Sequence, residues 1–341
     1  MTGRDTFPRM AYRHAAIALA IAPLWFQNPA GPSAEEQARM DKQNAALRES
    51  VKQAPKLPLR SGALDVTPPS PGLGGTSAPS TPGWALGMVS WVAAGPDGLI
   101  YLLQRGEHAD PVIVVDHNGK IVRSWGKGLY TTPHAIRIDP QGNVWTTDAA
   151  SSMVYKFSAQ GTKLLEIEVG GQPTPCNRFC STTDVAFAPN GNIFVADGYR
   201  NARILEYTPQ GKKVREWGAA GTGPGQFRLP HSIQVSPNGD VYVADRENGR
   251  IQRFDLEGRY QGEWSQYGKT FGLKLDGDAI WLSSIPRGPN SVPGWLIKLD
   301  RRSGKMLGAV DSEGNHGMDV LPNGELLSAP GPNNIPQRFR K

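Results

Sequence analysis

The chain has 341 residues, with 40 Gly, 29 Pro, 38% hydrophobic residues and a formal net charge of +6. That length suits one large domain, and the Gly and Pro content fits many short strands and turns better than long helices. The 37 Lys and Arg residues are interleaved with 31 Asp and Glu. With no basic tract or nucleic-acid motif, the composition excludes a nucleic-acid partner and leaves a soluble surface with a slight basic excess.

In chain order, residues 1–34 read as a secretory signal peptide. Arg4, Arg9 and Arg13 form a basic start, and 15–26 is an apolar run shorter than the ~20 residues that span a bilayer. Ala30, Ser33 and Ala34 offer cleavage sites, and no Cys follows the run to suggest a lipoprotein. An exported protein, periplasmic or secreted, with no membrane span in its mature chain is expected. Residues 35–83 read as a leader: a short polar helix over 35–51, then a Pro-, Ser- and Gly-rich extended linker over 54–83. No catalytic group is read in it.

From 84 to 341 the sequence repeats itself. Thr183-Asp-Val-Ala-Phe-Ala-Pro-Asn-Gly-Asn-Ile-Phe-Val-Ala-Asp197 recurs as His231-Ser-Ile-Gln-Val-Ser-Pro-Asn-Gly-Asp-Val-Tyr-Val-Ala-Asp245, and a third copy begins at His134. Each copy is an alternating strand, a Pro-x-Gly turn and a second alternating strand, the pattern of a β-hairpin. A third and a fourth strand follow, the fourth ending in Trp at Trp217 and Trp264. Four strands per roughly 40 to 50 residues is the signature of a propeller blade. The predicted fold is therefore all-β, a six-bladed β-propeller over 84–341 with blades starting near Val92, His134, Thr183, His231, Phe271 and His316. The last blade is the weakest, and the segment before Trp84 is expected to supply its outer strand. The Asp197/Arg203 and Asp245/Arg250 pairs resemble those of NHL-type repeats and read as ties between strands.

Three of the six histidines hold one repeat position: His134, His231 and His316, separated by 97 and 85 residues. They start alternate blades, about 120° apart in a six-fold ring, on the strand that lines the channel. Three imidazoles with an open fourth position is the ligand set of catalytic zinc. His14, His108 and His117 fall outside the pattern.

Longer stretches carry a family resemblance. Gln104-Arg-Gly-Glu-His108, Leu129-Tyr-Thr-Thr-Pro-His134, Phe179-Cys-Ser-Thr-Thr-Asp184, Pro224-Gly-Gln-Phe-Arg-Leu-Pro-His231 and Ala244-Asp-Arg-Glu-Asn-Gly-Arg-Ile-Gln252 resemble the peptidyl-α-hydroxyglycine α-amidating lyases. The resemblance covers about 84–330. It implies zinc on His134, His231 and His316, a catalytic Tyr199, active-site arginines at Arg105 and Arg246, and a structural calcium on the main-chain carbonyls of Val92 and Ile136. It also implies a small-molecule or peptide substrate that carries an α-hydroxyglycine-like group, and the chain is expected to act as a monomer. Which arginine binds the carboxylate stays open.

Several positions depart from the family. The Asp that follows its third zinc histidine is Gly317 here, leaving Asp319 as the nearest carboxylate, and its Met-Pro before that histidine is Gly314-Asn315. Cys180 matches one family cysteine, but the partner's position is Arg200, and a second pair corresponds to Tyr242 and Arg253. Cys176 and Cys180 are either joined within one loop or free. Three function classes follow: the lyase, another metal-dependent propeller enzyme such as a lactonase-like hydrolase, and a non-catalytic NHL-type binding scaffold.

Overall fold

The computed structural model describes residues 33–67, 84–171, 175–176, 178–287, 294–313, 316–330 and 334–341. The signal-peptide segment and 68–83 of the linker lie outside them.

The described strands form six four-stranded antiparallel sheets arranged as the blades of a ring, and one short parallel pair, Ala219–Ala220 with Gln226–Phe227. The innermost strands of blades one to six are Val89–Ala94, Pro133–Ile138, Thr182–Phe187, Pro230–Val235, Lys269–Asp276 and Gly317–Val320. Each is followed by a hairpin return and two outer strands, as the Pro-x-Gly turns predict. Blade six is completed from the other end of the propeller sequence: Arg60–Ala63 pairs with Gln337–Arg340, with Arg60 opposite Arg340 and Ala63 opposite Gln337. This strand closes the ring and lies within the segment read as an extended linker.

The apolar core sits between blades. One cluster joins Trp91, Leu103 and Val112 of blade one to Ile136 and Tyr155 of blade two, and another joins Phe194 of blade three to Val243 and Phe254 of blade four. At the rim, the Trp ending one blade covers a turn glycine of the next. A Cβ on Gly258 would lie 2.8 Å from Trp217, and one on Gly304 would lie 2.4 Å from Trp264. Both glycines have positive φ, so the turn and the indole together require the residue. Asp197 and Asp245 accept from Arg203 and Arg250 at 2.8 Å, tying the second strand of each blade to the third.

The polar leader folds as helix α1 (Ala34–Gln53), capped by Ser33, whose hydroxyl accepts from Glu36 N at 3.1 Å. It docks on blades four and five. Leu47 is fully buried with Tyr242, Tyr267 and Trp295, and Glu36 pairs with Arg228 at 3.0 Å. No described helix is long and apolar enough to cross a membrane.

Candidate metal centre

The innermost strands bear the same irregularity at the same place. Their pairing register slips around Ser90, His134, Thr183, His231 and Phe271 in blades one to five. In blades two to five this is the position that starts the repeat, and in blade one the equivalent residue is Ser90, two before the Val92 expected from the sequence. A bulge takes a residue out of the ladder, re-aiming its side chain and freeing its carbonyl. Both consequences are used. His134, His231 and His316 converge, their ring centroids 4.7 to 4.9 Å apart. Each Nδ1–H donates to a carbonyl at the start of an adjacent blade that lacks the histidine: His134 to Thr183 at 2.6 Å, His231 to Phe271 at 2.7 Å and His316 to Ser90 at 2.7 Å. Alternate blades thus supply the imidazoles, and those between them fix the tautomer.

With Nδ1 engaged, Nε2 is the ligand atom of each ring, and the three candidate ligand atoms lie within 4.8 Å of one another. His134 and His231 are fully buried, and His316 is partly so. Burial lowers the pKa of all three. His316 adds to the lowering at His134, Arg246 and His316 add to it at His231, and His316 itself falls to about 3 with help from Arg105. Neutral imidazoles facing one point can hold a metal ion, and the donor set fits the three-nitrogen site of a catalytic zinc.

Of the other site residues read from the sequence, Tyr199, Arg246 and Arg105 gather around the triad. Tyr199, which follows the second strand of blade three, is buried with its Oη 3.0 Å from His134 Nε2 and 3.2 Å from His231 Nε2. Burial raises its pKa, while Arg246 and Arg105 pull it down without cancelling the rise. Arg246 is buried, its Cζ 4.7 Å from the Phe271 ring centroid and 5.9 Å from that of Tyr199. Its Nε donates to Glu247 at 2.9 Å. Burial raises the pKa of Glu247, but Arg246 and Lys269 outweigh it and bring the carboxyl down to about 2. Arg105 donates to the Pro133 carbonyl at 2.8 Å and to Ser90 Oγ at 3.0 Å. Burial lowers its pKa to about 10, which leaves it charged at neutral pH. Val92 and Ile136 are fully buried in the innermost strands of blades one and two.

Three contributors escaped the sequence reading. Phe179 packs on Tyr199 with centroids 4.9 Å apart and carries the Arg105 and Arg178 guanidiniums, each 5.2 Å from its centroid. Its adjacency to Cys180 in a matched stretch was the available signal. Trp91 lies 5.5 to 6.3 Å from all three imidazoles. Ser90 hydrogen-bonds both Arg105 and a histidine of the triad. Cys176 and Cys180 form a disulfide within one loop, which resolves the two open states. His108 and His117 are exposed and outside the triad, and His14 lies outside the described residues.

Fold and site together define a six-bladed propeller with a channel triad of histidines. The NHL repeat model matches residues 227–254. The chain is 38% identical over 203 residues to peptidyl-glycine alpha-amidating monooxygenase A of Xenopus laevis, covering 50% of this chain and 22% of that protein. It is 38% identical over 211 residues to a probable peptidyl-alpha-hydroxyglycine alpha-amidating lyase of Caenorhabditis elegans, covering 57% and 59%. Against peptidyl-alpha-hydroxyglycine alpha-amidating lyase 2 of Drosophila melanogaster the figures are 31% over 248 residues, 67% and 59%. The matched region thus spans less than two thirds of each of these relatives. In fold, the chain is similar to a streptogramin B lyase structure, with a TM-score of 0.58 at 14% identity, covering 83% of this chain and 97% of that one. By sequence the chain is a homologue of the peptidyl-α-hydroxyglycine α-amidating lyases, as its motifs lead one to expect.

Proposed function

We propose that this chain is a zinc-dependent lyase that cleaves the C–N bond of a peptidyl- or N-acyl-α-hydroxyglycine to an amide and glyoxylate. The observation that carries the reading is the convergence of three neutral imidazoles beside a buried tyrosine hydroxyl and two guanidiniums, in a homologue of enzymes named for this reaction. An NHL scaffold needs none of these groups.

Zinc held on the three Nε2 atoms would supply Lewis acidity to the substrate's α-hydroxyl and lower its pKa. Tyr199 takes the hydroxyl proton as general base. As the C=O of glyoxylate forms, the C–N bond breaks with its electron pair going to nitrogen, and the proton on Tyr199 Oη returns to that nitrogen to complete the amide. Burial keeps the Tyr199 pKa raised despite Arg246 and Arg105, and a metal held at the triad would add positive charge that favours the phenolate. The guanidinium of Arg105 holds the carboxylate that leaves in glyoxylate through fork-shaped hydrogen bonding, while Arg246 lies beside the Tyr199 ring and lowers its pKa. Phe179 packs on Tyr199 at the reacting end of the site, while Trp91 lies against the imidazoles from beneath. The Cys176–Cys180 disulfide supports an exported, oxidising location.

The test is glyoxylate release from an N-acyl-α-hydroxyglycine by the purified protein, before and after chelation and zinc restoration, with His231→Ala alongside. Release that depends on zinc and vanishes in the variant supports the reading. Protein that holds zinc and releases no glyoxylate moves the reaction to another substrate class, and protein that holds no metal overturns the mechanism.

A further inference from the structure

Beneath the triad the channel is filled by an indole and then by a guanidinium. Trp91 packs against His134, His231 and His316, and the Arg137 Cζ lies 4.8 Å from the Trp91 ring centroid. Arg137 is only 4% exposed. Its Nε donates to Asp184 Oδ1 at 2.9 Å and its Nη2 to Asp184 Oδ2 at 2.6 Å. The same Nη2 meets Ser232 Oγ and the Leu273 carbonyl, each at 3.1 Å. These partners lie on the innermost strands of blades three, four and five, with Arg137 on blade two and Trp91 on blade one. Asp319 of blade six acts on the guanidinium through its charge. One side chain therefore interacts with all the blades of the ring.

The calcium implied by the family resemblance does not fit here. Calcium takes about 6 to 8 oxygen ligands, and the buried carboxylates of this channel are already engaged. Besides Arg137, Asp184 accepts from Ser232 Oγ at 2.7 Å, Ile233 N at 3.1 Å and Val185 N at 2.9 Å. Asp319 accepts from Lys274 Nζ and Val320 N, both at 2.6 Å, and from Ala94 N at 3.1 Å. The Gly317 position is closed as well. A Cβ there would lie 2.4 Å from Trp91 Cγ and 2.5 Å from its Cδ2, so the aspartate found in the family cannot stand beside this indole. A cavity of about 300 Å³, lined by Arg137, Lys274, Asp139 and Asp319, adjoins the guanidinium. Its two carboxylates are paired with Lys156 and Lys274.

We propose that Arg137, clamped on Asp184 beneath Trp91, is the structural cation of this channel and takes the place of a bound divalent ion, leaving the histidine triad as the single candidate metal site among the described residues. Trp91, Gly317 and Arg137 form one coupled set: the indole excludes a side chain at 317 and roofs the guanidinium. A covalently attached cation cannot dissociate, so ring stability is independent of calcium.

The experiment uses the full chain, stripped with EDTA and reloaded with zinc. Metal content and thermal midpoint are measured in millimolar calcium and in EGTA, and Arg137→Met is melted alongside. Expected are no retained calcium, midpoints that agree within error, and a fall of roughly 6 °C or more in the variant, because an unpaired buried Asp184 remains. Stoichiometric calcium in the wild type, or a midpoint that rises with calcium, would overturn the proposal, as would a variant as stable as the wild type. Should Arg137→Met fail to fold, the calcium measurements on the wild type decide alone.

Discussion

The hydroxyl of Tyr199 bridges two of the three imidazoles, 3.0 Å from His134 Nε2 and 3.2 Å from His231 Nε2. A group there is beside the point the three imidazoles face without belonging to the triad, and its ring is packed on Phe179. Tyr199→Phe removes the oxygen and keeps the packing. It is expected to retain zinc while kcat falls by ~10²- to 10⁴-fold, the range for a lost general base. Single-turnover glyoxylate release, read together with zinc content, checks this. An undiminished rate removes Tyr199 from proton transfer, and lost zinc reassigns it to holding the metal.

The two arginines are anchored differently, and that difference separates their roles. Arg105 is fixed to the Pro133 carbonyl and Ser90, whereas Arg246 is braced by Glu247 and lowers the Tyr199 pKa more than Arg105 does. Removing Arg246 lets the Tyr199 pKa rise, so the limb on which the base must lose its proton moves to higher pH. Arg246→Met is expected to shift the kcat–pH profile upward and to lower kcat near neutrality. Arg105→Met is expected chiefly to raise KM, by roughly 10- to 100-fold for a lost charge-assisted hydrogen bond. Profiles that coincide for the two variants would refute this division.

The ring and the triad were legible because a propeller repeats one inward-facing strand, so a side chain needed at the axis returns at the same phase. His134, His231 and His316 carry that signal in their residue type. Their supports do not: the Thr183, Phe271 and Ser90 carbonyls that hold the rings are backbone, and nothing in a side chain marks them. Trp91 has no periodic partner to reveal it, and Gly317 reads as a lost aspartate until the indole above it is located. Helix α1 was legible from its composition but its docking was not, since only Met40 and Leu47 are buried in an otherwise polar segment.

Glu247 gives a stability prediction with a definite sign. Its carboxylate is paired with Arg246 at 2.9 Å and Lys269 at 2.7 Å, and its pKa in the folded chain is about 2. An unfolded Glu titrates near pH ~4.3. The unfolded state therefore binds the proton first as pH falls, so the contribution is complete above that value and is lost on descending toward pH 2. It is worth about 3 kcal/mol at most. Denaturant unfolding of wild type and Glu247→Gln should differ at pH 6 and converge across that acid window. A gap that stays constant would show that the ionised pair contributes nothing.

Helix α1 reaches the site through a chain of contacts. Asn44 accepts from Arg287 N and donates to the Arg287 carbonyl, both at 2.7 Å, and Gln43 accepts from Arg287 Nη1 at 2.8 Å. Arg287 Nη2 in turn donates to the Glu247 carbonyl at 2.7 Å, next to the Arg246 that lies against Tyr199. Leu47 anchors the helix from a fully buried position. Leu47→Ala is expected to cost about 2 to 5 kcal/mol as a core cavity, and Asn44→Ala about 1 to 3 kcal/mol by leaving backbone groups unpaired. If the helix also steadies the Arg246 turn, Asn44→Ala raises KM for the α-hydroxyglycine substrate several-fold while zinc content stays unchanged. Loss of stability with an unaltered KM would confine α1 to holding blades four and five together, and no loss in either variant would mean that the helix does not dock in solution.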